Sequence, residues 1–114
     1  KTPKTALLGR SYRAGVYNVS ADLSGAIQQV LAYRQSLMDE RDQLLKGNPN
    51  LASFIPRCVV LIGHAGRELI DQEKRQGFEL FRNQLKDVEV ITYDEMVEKT
   101  RRLVHLLEEG IGDA

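Results

Sequence analysis

Apolar residues first recur at helical spacing in the stretch SADLSGAIQQVLAYRQSLMDERDQLLKG. Leu23, Ile27, Val30, Leu31, Leu37, Met38, Leu44 and Leu45 fall on one stripe of a 3.6-residue period, which predicts an amphipathic helix over about residues 21–46. Ser20 is placed to cap its N-terminus, with Asp22 beside the positive end of the helix dipole. Gly47 followed by Asn48-Pro49 stops the run. An interruption near Asp39–Asp42 stays open. Gly25 costs about 1 kcal/mol relative to Ala inside a helix, so its presence predicts close packing or backbone approach at that point.

The pattern then changes. RCVVLIGHAG holds a continuous apolar run from Cys58 to Ile62, bounded by Pro56 and Gly63, and reads as a strand buried on both faces. From Glu68 to about Leu85, the residues Leu69, Ile70, Phe78, Phe81 and Leu85 return to a helical stripe, with Gly77 as a weak point. VEVI, Val88 to Ile91, is a second short strand. Thr92 and Glu95 have the spacing of a capping box, so the last helix starts at once and runs through Val97, Leu103, Val104 and Leu107 to Gly110. Residues 1–19, with Pro3, Gly9 and Gly15, carry no sustained period and read as a loop or an irregular extension of a strand.

The order is loop, helix, strand, helix, strand, helix, which makes the fold class α/β. A strand–helix–strand unit implies two parallel strands joined by a right-handed crossover. Strands covered on both faces need neighbours in the sheet, and only two strands are evident. Either the opening residues supply a third, or further strands lie upstream of residue 1. The opening KTPKTALLGR, which has no initiator Met, also reads as a start inside a longer protein.

Composition narrows this only slightly. Sixteen basic and sixteen acidic side chains cancel, so net charge neither argues for nor excludes a nucleic-acid partner, which would depend on local patches. The single cysteine, Cys58, lies in the apolar run and reads as a core thiol in a reducing compartment. No apolar run reaches the roughly 18–20 residues of a membrane span, so the expectation is a cytoplasmic protein with no membrane partner.

Chemistry-bearing residues are sparse. Gln29 and Tyr33 are four apart and share a helix face beside the apolar stripe. Taken alone, that spacing is a common polar helix edge. Arg10 and Arg13, interleaved with Tyr12 and Tyr17, place basic and aromatic groups on the opening loop, a combination suited to phosphate and base contacts. Gly63 and Gly66 follow a buried strand where a phosphate loop could lie, but the sequence is neither G-x-G-x-x-G nor a Walker A motif. His64 has no second Cys or His near it and makes a poor zinc site, and His105 reads as a packed or surface residue.

In order and spacing, a terminal Lys, a loop, a helix with Q-x-x-x-Y and then an apolar strand resemble the PD-(D/E)XK nuclease superfamily. More closely, KTP…YR…S.DLSGAIQQVLAYR, followed by VVLIGH and VEVITYDEMV, resembles the nuclease domain of the Shedu antiphage-defence proteins, over nearly the whole chain to about Leu107. The resemblance implies a partial restriction-endonuclease-like core. Residues 1–114 would be the C-terminal portion of one nuclease-like domain, with 1–19 a loop after the catalytic strand and 20–110 an α-β-α-β-α core. It implies a Mg²⁺-dependent DNA endonuclease that works as a homo-oligomer. Lys1 would match the lysine of Glu-x-Lys, Gln29 the supporting glutamine of the helix and Tyr33 its partner, with Arg10, Arg13 and Tyr33 toward DNA. The family's metal-binding Asp and Glu have no counterpart in this chain and would lie upstream, so the chain alone is expected neither to hold the metal nor to cleave. The alternatives from the residues themselves are a non-catalytic α/β module for oligomerisation or partner binding, and a small nucleotide-binding fold.

Overall fold

The computed structural model describes residues 2–47 and 56–112. Lys1 and the helix stop at Asn48-Pro49 fall outside them. The opening segment, read from sequence as a loop, folds into a hairpin: β1 (Leu8–Arg13) pairs antiparallel with β2 (Val16–Val19), with Leu8 opposite Val19 and Ser11 opposite Tyr17. Two register shifts break the ladder, which is why no period-2 pattern was legible there. The Ser11 hydroxyl donates to the Arg13 carbonyl at 2.7 Å and helps close the turn. Among the described residues these strands pair only with each other and do not join the parallel sheet.

Helix α1 spans Ala21–Gly47 without interruption. Ser20 caps it as expected, its Oγ accepting the N–H of Leu23 at 3.0 Å. The same hydroxyl donates to the Ala6 carbonyl at 2.6 Å, and the Ser20 N–H donates to the Leu7 carbonyl at 2.9 Å. One buried serine thus ends the hairpin, starts the helix and holds the segment before β1. Leu23 and Ile27 are buried, with Ala26, Val30 and Leu31 packed beside them.

Strands β3 (Cys58–Leu61) and β4 (Val88–Ile91) form the expected parallel pair, in register from Cys58 opposite Val88 to Leu61 opposite Ile91. The ladder continues past both strands through Ile62 N–H to the Ile91 carbonyl (3.1 Å) and Tyr93 N–H to the Gly63 carbonyl (2.9 Å). Cys58, Val60, Val88 and Val90 share one face and are buried in a single core with Leu7, Leu8, Leu23, Ile27, Ile62, Leu69 and Phe78. The other face departs from the expectation of two-sided burial. Val59 is 52% exposed and Glu89 is exposed, with Lys99 of the last helix 3.7 Å from Glu89.

The helix expected over Glu68–Leu85 begins later, at Gln72, and a separate short turn precedes it. A four-residue turn, α2 (Ala65–Glu68), is followed by α3 (Gln72–Gln84). The break has a local cause: Asp71 adopts an extended backbone and its carboxylate accepts the Lys74 N–H at 2.8 Å, an N-cap that restarts the helix. Leu69, just before it, turns inward to the core. Helix α4 (Tyr93–Gly112) begins where the capping box predicted, with the Thr92 N–H donating to Glu95 at 3.0 Å and the Glu95 N–H to the Thr92 hydroxyl at 3.4 Å. Beyond Glu95 it projects away from the core, and Met96, Val97, Leu103, Val104, Leu106 and Leu107 are all substantially exposed.

Gly25 does not permit close packing: nothing outside its own helix turn lies within 4 Å of a methyl built there. Gly25→Ala should therefore raise the urea midpoint of this chain by the equivalent of about 0.5–1 kcal/mol, through backbone entropy alone. A loss of stability instead would mean that something packs on that face.

Candidate functional site

Two of the expected site residues meet directly. On the exposed side of α1 the Gln29 amide donates to the Tyr33 hydroxyl at 2.9 Å, the i,i+4 contact that helix geometry allows. Both side chains are exposed rather than partly buried, and Tyr33 is 64% exposed. With Ala26 and Val30 they form one wall of a shallow groove of ≈ 210 Å³, and Val59, Val60 and Leu61 of β3 form the other. Among the described residues β3 pairs only with β4, so the groove runs along the open edge of the sheet.

Arg10 and Arg13 lie on the separate hairpin sheet and are exposed. Arg13 stacks over the Tyr12 ring at 5.4 Å, leaving Tyr12 67% exposed. Lys74 lies 5.6 Å over the Tyr17 ring, which fixes that aromatic against α3. Among the described residues no hydrogen bond or ring contact joins the hairpin arginines to Gln29 or Tyr33. Lys1 lies outside the described residues, one position before Thr2.

A larger cleft of ≈ 630 Å³ opens at the N-terminal ends of β3 and β4. Two of its cations are already engaged: Arg34 lies 4.0 Å from Asp87, and Arg82 pairs with Glu79 and Glu95. Both Glu95 and Arg82 are displaced toward the charged state. Burial opposes this for each, and the mutual hydrogen bond outweighs it, with help from Thr92 on the Glu95 side and from Glu79 on the Arg82 side.

The Gly63–Gly66 turn, which the sequence offered to a phosphate, is filled by the chain itself. The Asp94 carboxylate accepts the N–H of Ala65 at 2.9 Å and of Gly66 at 3.0 Å. Burial pushes the Asp94 carboxyl up, but the Thr92 hydroxyl and these two N–H groups outweigh it and bring it down to about 2. His64 Nδ1 accepts the Arg67 N–H at 3.1 Å, so that nitrogen carries no proton toward Asp94, 3.7 Å away. His64 is an N-cap rather than a ligand, and His105 is a surface residue paired with Glu109 at 3.0 Å. Among the described residues no group of three or more His, Cys, Asp or Glu side chains is placed to hold a metal ion. Among the described residues the donor set does not fit Mg²⁺.

Sequence reading missed Glu68. Its Oε1 accepts the N–H of Leu7 and its Oε2 that of Leu8, each at 2.6 Å. No pattern could signal this, because the partners are backbone groups 61 and 60 residues away.

Asp94 sets a pH prediction. A carboxyl lowered in the folded state stabilises it fully above its ordinary value of 3.8, and that contribution is lost as pH falls toward 2. Asp94→Asn should cost about 1–2 kcal/mol in urea unfolding at pH 7, after allowance for partial solvent screening. Part of the difference from the unchanged protein should vanish between about pH 4 and 2. An equal difference at both pH values would refute the assignment.

Residues 1–97 match the family model of the C-terminal region of the Shedu protein SduA. The chain is also 40% identical over 115 residues to the Shedu protein SduA of Bacillus cereus strain B4264, an alignment covering 95% of this chain and 30% of that relative. The chain thus spans less than a third of the curated relative's length. By the family-model match over residues 1–97, the chain belongs to the family of Shedu SduA C-terminal domains.

Proposed function

We propose that this chain is the C-terminal part of a Mg²⁺-dependent DNA endonuclease of a bacterial antiphage defence system, acting as a homo-oligomer. Its fold would complete a PD-(D/E)XK core with strands upstream of residue 1. The observation that carries the reading is the Gln29–Tyr33 pair, hydrogen-bonded and exposed beside the open edge of a two-stranded parallel sheet. Strand addition at that edge would bring upstream carboxylates alongside α1. Family membership supports the same reading.

In this scheme the Lys1 ammonium stabilises the negative charge that grows on the phosphoryl oxygens and orients the attacking water. Carboxylates upstream of residue 1 would hold the metal, which would supply Lewis acidity at the phosphoryl group. The Tyr33 hydroxyl accepts from Gln29 and keeps its own hydrogen to donate to a phosphate oxygen, while Gln29 retains a carbonyl and a second N–H. Arg10 and Arg13, exposed on the hairpin, contact the DNA backbone. Gly63 and Gly66 take no phosphate, because Asp94 already occupies the loop amides.

One observation favours a different reading. The exposed apolar residues of α4, from Met96 to Leu107, suit a non-catalytic module whose work is oligomerisation or partner binding.

Plasmid nicking with Mg²⁺ by the full-length protein separates the two. Lys1→Ala should slow nicking by about 100-fold or more, the scale of losing one transition-state charge donor. Equal nicking by both forms would end the catalytic role of Lys1, and no nicking by the full-length protein would favour the binding module. The 114-residue chain by itself should not cleave plasmid with any divalent ion; robust cleavage would place the active site elsewhere.

A further inference from the structure

The ladder of the opening hairpin breaks in two places, and both breaks leave the surplus residue on β1. Ser11 faces Tyr17 and Arg13 faces Val16, so β1 takes two steps where β2 takes one, and Tyr12 has no residue opposite it. The stretch before it repeats this: between the Leu8–Val19 and Ser11–Tyr17 pairs, Gly9 and Arg10 are set against Asn18 alone. A bulge leaves its extra residue out of the pairing and re-aims the side chain. Gly9 carries none, so Arg10 and Tyr12 are the groups that the two bulges turn out of the ladder.

Nothing in the described fold engages them further. Every residue of β1 after Leu8 is exposed, and Arg10 makes no hydrogen bond or ion pair among the described residues. The ring of Tyr12 meets the Arg13 guanidinium, 5.4 Å from its centroid. Strand β2 is held by contrast. Val19 and Tyr17 pack on the core, Lys74 of α3 covers the Tyr17 ring, and the turn at Gly15, with φ 77°, backs onto the Glu73 carboxylate. The ribbon is anchored along β2 and open along β1.

A lone exposed tyrosine is ordinary. Tyr12 differs in being lifted from its ladder, backed by a guanidinium on one ring face and still 67% exposed, which leaves the other face open. The Arg13 contact holds the ring in place, so little freedom is lost when a flat group stacks on it. A flat group with negative charge on either side, for Arg10 and Arg13, is a nucleotide base between its phosphates. To reach the ring that base must be free of its own stack, as in a single strand.

We propose that Tyr12 is a stacking platform for an unpaired base of single-stranded DNA, with Arg10 and Arg13 on the flanking phosphates. This rests on the reading of the hairpin as a DNA contact and adds the form of DNA that it takes.

The test is a fluorescence-anisotropy titration with the full-length protein in EDTA, where nothing is cleaved, over a range of salt. Three labelled probes are compared: an oligothymidine of about 16 nucleotides, an abasic strand of the same length, and a blunt duplex. Tyr12→Ala should weaken oligothymidine binding about 10-fold, the scale of one base–aromatic stack, and change the other two by less than about twofold. Tyr12→Phe should bind like the unchanged protein, because the ring makes the contact. Arg10→Gln should weaken the oligothymidine and the abasic strand alike, and flatten the slope of log affinity against log salt by about 0.7, one phosphate on a single strand. Tyr12→Ala should leave that slope as it is. Thermal midpoints are measured in parallel, and should Tyr12→Ala prove unstable, Tyr12→Leu, which keeps apolar bulk without a ring, takes its place. An equal loss on the base-bearing and abasic strands would overturn the proposal, as would unimpaired oligothymidine binding by Tyr12→Ala or none by the unchanged protein. Each of those results leaves the nuclease reading standing where plasmid nicking with Mg²⁺ persists. Tyr12-dependent binding by a protein that does not nick would remove the nuclease reading and keep the platform.

Discussion

Backbone N–H groups that leave water must find acceptors, and in this chain carboxylates meet that requirement where regular structure ends. Asp94 takes the amides that open α2, Glu68 takes those at the bend before the hairpin, and Glu95 takes the amide of Thr92 before α4. Remove these and the ends of the parallel strands, the short helix and the opening segment lose their common frame. The same groups explain why the loop after β3 is not a phosphate site: an internal anion already satisfies its N–H groups. A turn that looks like a ligand loop in sequence is in space a structural joint.

The sheet they frame is small. Two parallel strands present one apolar face to α1 and the core, while Val59 and the edge of β3 stay open. Parallel sheets are ordinarily covered on both faces. An open edge flanked by Gln29 and Tyr33 is what the proposed nuclease reading uses, since a strand added there would share a groove with both side chains. The exposed apolar side chains of α4 form a second uncovered surface, remote in sequence from that edge.

Helices and strands whose signals are local were legible from the residues. The Ser20 cap, the long helix α1, the parallel β3–β4 pair and the Thr92–Glu95 capping box all follow from period and turn chemistry that act within a few residues, while the continuity of α1 past Asp39–Asp42 was settled by the structure. The errors also have local causes. Bulges erased the period-2 pattern of the hairpin, and an apolar stripe running through Leu69 and Ile70 hid the break that the Asp71 cap makes. The apolar run Cys58–Ile62 reported a strand correctly, but not how many of its faces this chain covers. At the candidate site, the Gln29–Tyr33 contact was legible because four residues along a helix fix the geometry. Glu68 was not, because its partners are amides that every residue but proline has.

The sequence by itself determined the order of α1, β3, β4 and α4, the Ser20 and Thr92 caps, the family and the neighbours along one helix face, because each depends on side-chain identity at short separation. Only the tertiary structure decided that Asp94 fills the glycine turn, that Glu68 grips the opening segment and that the arginine hairpin stands apart from the parallel sheet. Those outcomes turn on which buried amides find which distant carboxylate. That pairing is a matter of desolvation and three-dimensional packing, and it leaves no mark in spacing along the chain.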